Sequence, residues 1–455
     1  MPALTRRAAL GAAAALAAAP ATLSAEERQR EADPPLFGAR LWRLPNGLTV
    51  ALAESRRAPV VAQYLFYGAG GGEDPLGRSG VAHFLEHMMF KGSPNVPSGA
   101  FSRRIAREGG NDNAFTSRDV TAYYQQVEAS RLPLIMSLEA DRFAEALFPA
   151  DEFESERAVV IEERRQRTDS NPRARFHEAF EAAMWGPQHW HGRPVIGWLD
   201  EIRAITRDDL VAFYRRWYAP ANATLVIGGD VREAELRDLV ERHYGGVPVR
   251  SAGTRDRAPP PAAPAEPRLI RRESGVREAL FLRSWYAPNL TWGAAEHAYP
   301  LEVLVHLLGS GQRSRLHKAL VETGLAVSVG AGYDSDALGA GDFSLSAVPR
   351  PNVAPQRLED AAGAVIAQLL EGGPTEEEVA RSRRQITAGA LLALDSFGSA
   401  PRMIGGALAI GLPLETVEYW PARIRAVTRD QVAAAARAVL GARTDTTGWL
   451  LPGEA

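Results

Sequence analysis

The chain has 455 residues, of which 45% are hydrophobic, with no cysteine and a formal net charge of −3. A near-neutral chain of this kind offers no basic footprint for nucleic acid or an anionic membrane surface, and its length exceeds one comfortable core, so two or more globular domains are expected. The absence of cysteine excludes a disulfide framework and thiolate-bound metal, which leaves His, Asp and Glu as metal ligands.

Arg6-Arg7, an Ala/Leu/Gly run from Ala8 to Ala19, Pro20 and small residues to Ala25 read as a secretory signal peptide over residues 1–25. Export to the periplasm is expected, with the Arg6-Arg7 pair leaving both the general secretory and the twin-arginine routes open. The apolar run falls short of the ~20 residues needed to cross a bilayer, and no later stretch is long and apolar enough, so the mature chain is expected to have no membrane span. Leu41 to Ala53 reads as a hairpin turning at Pro45-Asn46-Gly47, and Val60 to Tyr67 as a second strand. Gly68 to Pro75 is a loop; its glycines lack the Lys-Ser/Thr that a phosphate loop requires.

A helix follows Gly77-Arg78-Ser79-Gly80 and begins Val81-Ala82-His83-Phe84-Leu85-Glu86-His87-Met88-Met89-Phe90. It sets two imidazoles four residues apart on one face, with a carboxylate directly before the second. Neutral imidazoles so spaced can bind one Zn²⁺, leaving Glu86 to act on a zinc-activated water. Val81, Phe84, Leu85 and Met88 are equally the pattern of a buried helix, in which the histidines would merely line a wall. Further ligands therefore have to decide.

Lys91-Gly92-Ser93-Pro94 ends that helix, and Ala100 to Glu108 forms another. A strand is expected to open in Gly109 to Thr116 and to continue through Tyr124; the mix of polar and small residues around Asn113, Ala114 and Phe115 suits an open sheet edge to which a peptide substrate can pair. Leu132 to Phe143 and Asp151 to Arg167 have helical periodicity, and in the second of these Glu156 and Glu163, seven residues apart, share a face. A catalytic zinc site has three protein ligands. Glu163 is the best candidate for the third, Glu162 is its rival by adjacency, and the surrounding charges also fit a merely solvated face. His177, His189 and His191 lack ligand spacing, and His189 and His191 read as structural or surface residues.

Thr206 to Tyr218 is a helix with a threonine cap, Ala223 to Asp230 a buried strand and turn, and Glu233 to His243 a further helix. Ser251 to Pro267, rich in proline and alanine, has no apolar period and reads as a linker. Ile202-Arg203-Ala204-Ile205-Thr206-Arg207-Asp208 recurs as Ile424-Arg425-Ala426-Val427-Thr428-Arg429-Asp430 at an offset of 222 residues. This repeat predicts two homologous domains, 37–250 and 269–455, joined by a linker at 251–268. The offset carries the metal motif onto Val305, Leu308 and Gly309, so the second domain is expected to hold no metal.

His83-Phe84-Leu85-Glu86-His87, followed 76 positions after the second histidine by Glu163, resembles the inverzincin zinc peptidases of the pitrilysin, insulin-degrading enzyme and mitochondrial processing peptidase family. Phe90-Lys91-Gly92-Ser93, Asn113-Ala114-Phe115-Thr116 with Tyr123, Gly192-Arg193-Pro194-Val195-Ile196-Gly197 and Trp217-Tyr218-Ala219-Pro220 extend the likeness from about Leu41 to the C-terminus. The resemblance implies an α+β fold of two homologous domains, each an antiparallel-rich sheet covered by helices, together forming half of a clamshell. It implies His83, His87 and Glu163 as zinc ligands, Glu86 as general base, and Glu156 as the carboxylate behind a ligand. One departure stands out. Where self-sufficient members carry an Arg and a Tyr that hold substrate and oxyanion, this chain has Val321 or a close neighbour and Val327. Losing one such donor costs ~10²–10³ in rate. The expectation is therefore a zinc metalloendopeptidase subunit that acts on unfolded peptides and needs an Arg/Tyr-bearing homologue, as a heterodimer. The alternatives are a non-catalytic zinc-containing scaffold or peptide-binding subunit, and a self-sufficient homodimer that uses Tyr333 or Arg315 instead.

Overall fold

Asn46 and Gly47 reverse the chain between β1 (Arg40–Arg43) and β2 (Thr49–Glu54), at the turn the sequence marks. Gly47 sits at φ +98°, a region that favours glycine, and the Asn46 side-chain Oδ1 accepts from the Leu48 amide at 3.1 Å. The computed structural model describes residues 34–393 and 396–453, so the expected signal peptide lies outside the described residues. β3 (Val60–Tyr67), the short pair β4 and β5 (Gly92–Ser93, Val96–Pro97), β6 (Asn111–Thr116), β7 (Thr121–Glu128) and β8 (Ala223–Gly229) follow. Six strands form one sheet in the order β1-β2-β8-β3-β7-β6, antiparallel except where β2 meets β8. β6 is its edge.

The single strand expected through Tyr124 is instead a hairpin. The Ser117 amide donates to the Val120 carbonyl at 2.8 Å, and the Ser117 hydroxyl oxygen accepts from the amides of Asp119 and Val120, which closes a turn between β6 and β7. The serine-aspartate pair wins over the β propensity on either side.

In the second half, β9 (Arg268–Glu273), β10 (Leu280–Ala287), β11 (Ala326–Tyr333), β12 (Gly341–Pro349) and β13 (Asp445–Pro452) order as β11-β12-β10-β13-β9. This repeats the first sheet without β1, down to the one parallel pair, β9 with β13. The repeated threonines behave alike. Thr206 accepts from the Asp209 amide and Thr428 from the Gln431 amide, each in a capping box.

One face of the first sheet packs Leu65, Tyr67, Tyr123 and Val127 against α1 (Val81–Met88), α2 (Ala100–Arg107) and α3 (Leu132–Ala144). Next come α4 (Ala150–Arg164) and α5 (Pro172–Trp185). The periodicity expected to run to Arg167 changes at Arg165, where a π-helical turn, Arg165–Asp169, takes over. The halves then exchange helices. α5 leaves the first half and lays Phe176 and Phe180 on Leu280, Leu282 and Leu450 of the second sheet. In return α6 (Ser399–Ala409) covers the other face of the first sheet, where Ile404 and Ala407 meet Ala62, Tyr64, Phe66 and Val226. Glycines allow both contacts: a Cβ on Gly405 would lie 2.0 Å from the Phe66 ring, and one on Gly448 would lie 2.5 Å from the Phe180 ring.

No helix or strand interrupts 245–267, yet this stretch is fastened down. Arg257 pairs with Glu73 at 2.8 Å and Asp119 at 3.0 Å, and its guanidinium lies over the Trp190 ring. Among the described residues no helix is long and apolar enough to cross a membrane.

Candidate metal centre

α1 starts where Gly80 adopts φ +93°, and a Cβ there would lie 2.6 Å from the Ile196 carbonyl oxygen. No N-cap side chain is available from Gly80, so Asp74 reaches across and accepts from the amides of Gly80 (2.7 Å) and Ala82 (2.8 Å). Arg193 in turn donates to the Asp74 carbonyl at 2.8 Å, which gives the Gly192–Gly197 segment a physical task at the head of α1. Phe84 on α1 stacks on Phe153 of α4 with ring centroids 5.0 Å apart. That contact sets the histidine face of α1 against the face of α4 that carries Glu156 and Glu163.

The result is a tripod. His87 Nε2 is 3.2 Å and His83 Nε2 3.7 Å from Glu163 Oε2, and one donor atom from each residue lies within 4.8 Å of the others. A tetrahedral zinc with bonds of ~2.0–2.2 Å holds its donors roughly 3.3–3.6 Å apart. The donor set suits that ion in chemistry, and the two separations from Glu163, 3.2 and 3.7 Å, are close to that spacing. The side chains of His83, His87 and Glu163 are 10%, 19% and 17% exposed, so the donors are shielded yet open to a cavity of about 610 Å³.

Behind the tripod, His87 Nδ1 meets Glu156 Oε1 at 2.8 Å, and the other Glu156 oxygen takes the Lys91 ammonium. Burial would raise the Glu156 carboxyl, but His87 and Lys91 hold it below its ordinary range. Burial likewise works against a charged His87, yet Glu156 and Glu163 lift it to about 9, while burial and the neighbouring His87 lower His83 to about 4. Glu86 extends toward β6 and accepts a short hydrogen bond from the Thr116 hydroxyl. Burial raises its carboxyl above the usual range, and the Thr116 bond opposes that shift.

The structure thus brings together His83, Glu86, His87, Glu156 and Glu163, with Asn113, Ala114 and Phe115 lining the same cavity along edge strand β6. Glu162 does not join them. Its side chain is 53% exposed and pairs with Arg165 at 3.4 Å, because one residue along α4 turns it away from α1. His189 and His191 sit elsewhere, against Ala258 and Glu181 respectively. Val321 packs against the second core and Val327 is 51% exposed on β11. Neither alternative donor is available: the Tyr333 hydroxyl donates to the Pro288 carbonyl at 2.7 Å, and Arg315 is bidentate to Glu378. Positions 305–309 end an apolar helix, Ala298–Gly309, in the second core.

Lys91, Arg167 and Asp74 are site residues for which the sequence reading gave no role. Arg167 stands four residues after Glu163, to which it pairs at 2.5 Å, so helical spacing contained that signal, whereas Lys91 lies beyond the end of α1 at Met88, where no helical spacing applies. Asp74 acts through a loop, where no period exists to read.

The sequence matches two family profiles, Insulinase (Peptidase family M16) over residues 49–195 and Peptidase M16 inactive domain over residues 204–386. An uncharacterised zinc protease of Mycobacterium tuberculosis is 32% identical over 425 residues, covering 91% of this chain and 94% of the relative. Among solved structures, a protease from Helicobacter pylori superposes with a TM-score of 0.81 at 25% identity, over 92% of this chain and all of the other. The periplasmic protease PqqL from Escherichia coli superposes with a TM-score of 0.76 at 20% identity, over 92% of this chain but 48% of its own, so this chain has the fold of about half of that protein.

Proposed function

The chain belongs to peptidase family M16, the insulinase family, whose cofactor is Zn²⁺, and on that premise we propose that it is the zinc-bearing subunit of an endopeptidase or oligopeptidase for unfolded peptides. The observation that carries this reading is the joint placement of His83, His87 and Glu163 with Glu86 beside an open sheet edge. His83, His87 and Glu163 hold the ion, which when bound supplies a Lewis acid that polarises the scissile carbonyl and makes water a better nucleophile. A peptide adds to β6 as a further strand, with main-chain hydrogen bonds that do not depend on its sequence. Glu86 Oε2 is occupied by the Thr116 hydroxyl, so Oε1 takes the proton of the attacking water and passes it to the leaving amine nitrogen. Glu156 fixes the plane of the His87 ring from behind.

The oxyanion donor comes from a homologous subunit that carries the Arg/Tyr pair. Val327 can donate nothing, Tyr333 and Arg315 are already engaged, and the match to half of a longer protease supports a pairing of two such chains. Residues 1–25 direct export to the periplasm. Glu86→Gln should keep zinc and lose peptide cleavage by about 10²–10⁴-fold; unchanged cleavage, or none in the parent with every partner tried, favours the scaffold alternative. Full turnover by the purified, zinc-loaded chain alone would remove the partner from the scheme.

A further inference from the structure

We propose that the cavity beside Arg402 on the other face of β6, which adjoins the metal-centre cavity at Asn113, is a subsite for carboxylate-bearing side chains of the bound peptide, with Arg402 as its cation. The inference rests on the reading that a peptide pairs with β6.

Along β6 the side chains alternate. Thr116 turns to Glu86 and Ala114 packs on the first core, while Phe115 turns the other way, edge-on to Phe66 with centroids 6.1 Å apart. A strand added to this edge alternates in the same manner. One of the two residues flanking the scissile bond, and every second residue beyond it, therefore faces away from the metal ligands.

That far face is supplied by the exchanged helix. α6 buries Ile404 and Ala407 on the first sheet and leaves Arg402 exposed, with its guanidinium 5.2 Å from the Phe115 ring centroid. No carboxylate among the described residues forms an ion pair with Arg402. Beside it is a cavity of about 450 Å³ lined by Asn111, Asn113, Gln126 and the stacked pair Tyr64 and Tyr124, whose centroids are 4.8 Å apart. Among the described residues of the lining the one acid is Asp112, which accepts from the Ser102 hydroxyl at 2.7 Å. Burial raises the Tyr64 phenol, which keeps its hydroxyl protonated and able to donate. The cavity thus offers a guanidinium held on an aromatic face and without an ion pair among the described residues, together with amide N–H groups and hydroxyls. That set is complementary to a carboxylate and unfavourable to a lysine or arginine side chain.

The test is a binding scan on zinc-loaded Glu86→Gln protein, in which labelled peptides are retained. Each position of a ten-residue peptide carries Glu or Gln in turn, and affinity is read by fluorescence anisotropy. At one register Glu should bind about fivefold tighter than Gln, with the gap closing as salt is raised. Arg402→Gln should abolish the difference, and Arg402→Glu should invert it in favour of Gln, with the thermal midpoint reported for each variant. A Glu/Gln ratio of one throughout the scan, or a preference that survives Arg402→Glu, overturns the subsite while leaving strand pairing intact. If no peptide in the scan binds, edge pairing itself fails and the subsite goes with it.

Discussion

Replacing Glu156 by alanine removes the carboxylate that holds His87 Nδ1 at 2.8 Å. The two side chains are only 9% and 19% exposed, so solvent screens the contact little. A hydrogen bond to a charged group contributes about 1.5–3 kcal/mol, and a mid-range loss of about 2 kcal/mol is roughly 30-fold in an equilibrium constant. That falls within the ~10–100-fold that removal of such an orienting group costs a metal site. Zinc affinity, measured by competition against a calibrated chelator at one fixed pH, should weaken by that factor. Lys91→Met is the informative control. It removes the ammonium on the other Glu156 oxygen but leaves the 2.8 Å contact in place and makes the surroundings of the cation more negative. Its zinc affinity should stay within about threefold of the parent or tighten, because the carboxylate that holds His87 Nδ1 is still present. Unchanged affinity in Glu156→Ala, or an equal loss in both variants, would refute the claim that Glu156 acts by orienting His87.

Two further outcomes concern the frame. Gly405→Ala places a methyl group 2.0 Å from the Phe66 ring, so α6 must lift from the first sheet. The urea midpoint should fall by an amount worth about 1–3 kcal/mol, and no shift would mean the helix exchange is looser than described. For Glu378, burial alone would raise the carboxyl, but Arg315 and the Thr375 amide hold it at about 2, below the ordinary 4.5. A depressed carboxylate contributes stability above its unfolded pKa and loses it as pH falls toward the folded value. The gap in urea midpoint between the parent and Glu378→Gln, both metal-free, should be full at pH 6 and shrink between pH 4.5 and about 2; a pH-independent gap contradicts the assignment.

Much of this arrangement is written in local spacing. Pro45-Asn46-Gly47 marks its own turn, the four-residue step from His83 to His87 needs only a helix, and the seven-residue step from Glu156 to Glu163 puts both on one face. The repeat at offset 222 announces a duplicated topology before any strand is paired. What spacing cannot carry is the identity of a partner. Period-2 and period-3.6 patterns say which face of an element is apolar, but not which half of the chain will cover it. Phe176 and Phe180 serve the other sheet, and nothing in their spacing says so. The break at Ser117–Val120 was hidden because β propensity continues on both sides of a turn held by one serine hydroxyl. Thr116 stood within a recognisable segment, but its bond to Glu86 arises only once β6 lies beside α1.

The exchange of helices also explains how a half with no ligand cluster among its described residues can still shape the site. In the first half, β6 is the sheet edge; by the repeated strand order its counterpart is β11, the edge of the second sheet. β6 carries Thr116 and Asn113 toward an open cavity, whereas Val327 near the start of β11 offers only a half-exposed methyl surface. A free second domain could lose its chemistry and then its fold with little effect on the first. Here it cannot, because α6 forms the floor behind β3 and β8 and carries Arg402 to the rear of β6. On α6 a side chain at Gly405 would meet the Phe66 ring, and a polar one at Ile404 would break the apolar face that it covers, so this helix must keep to the packing of the first sheet.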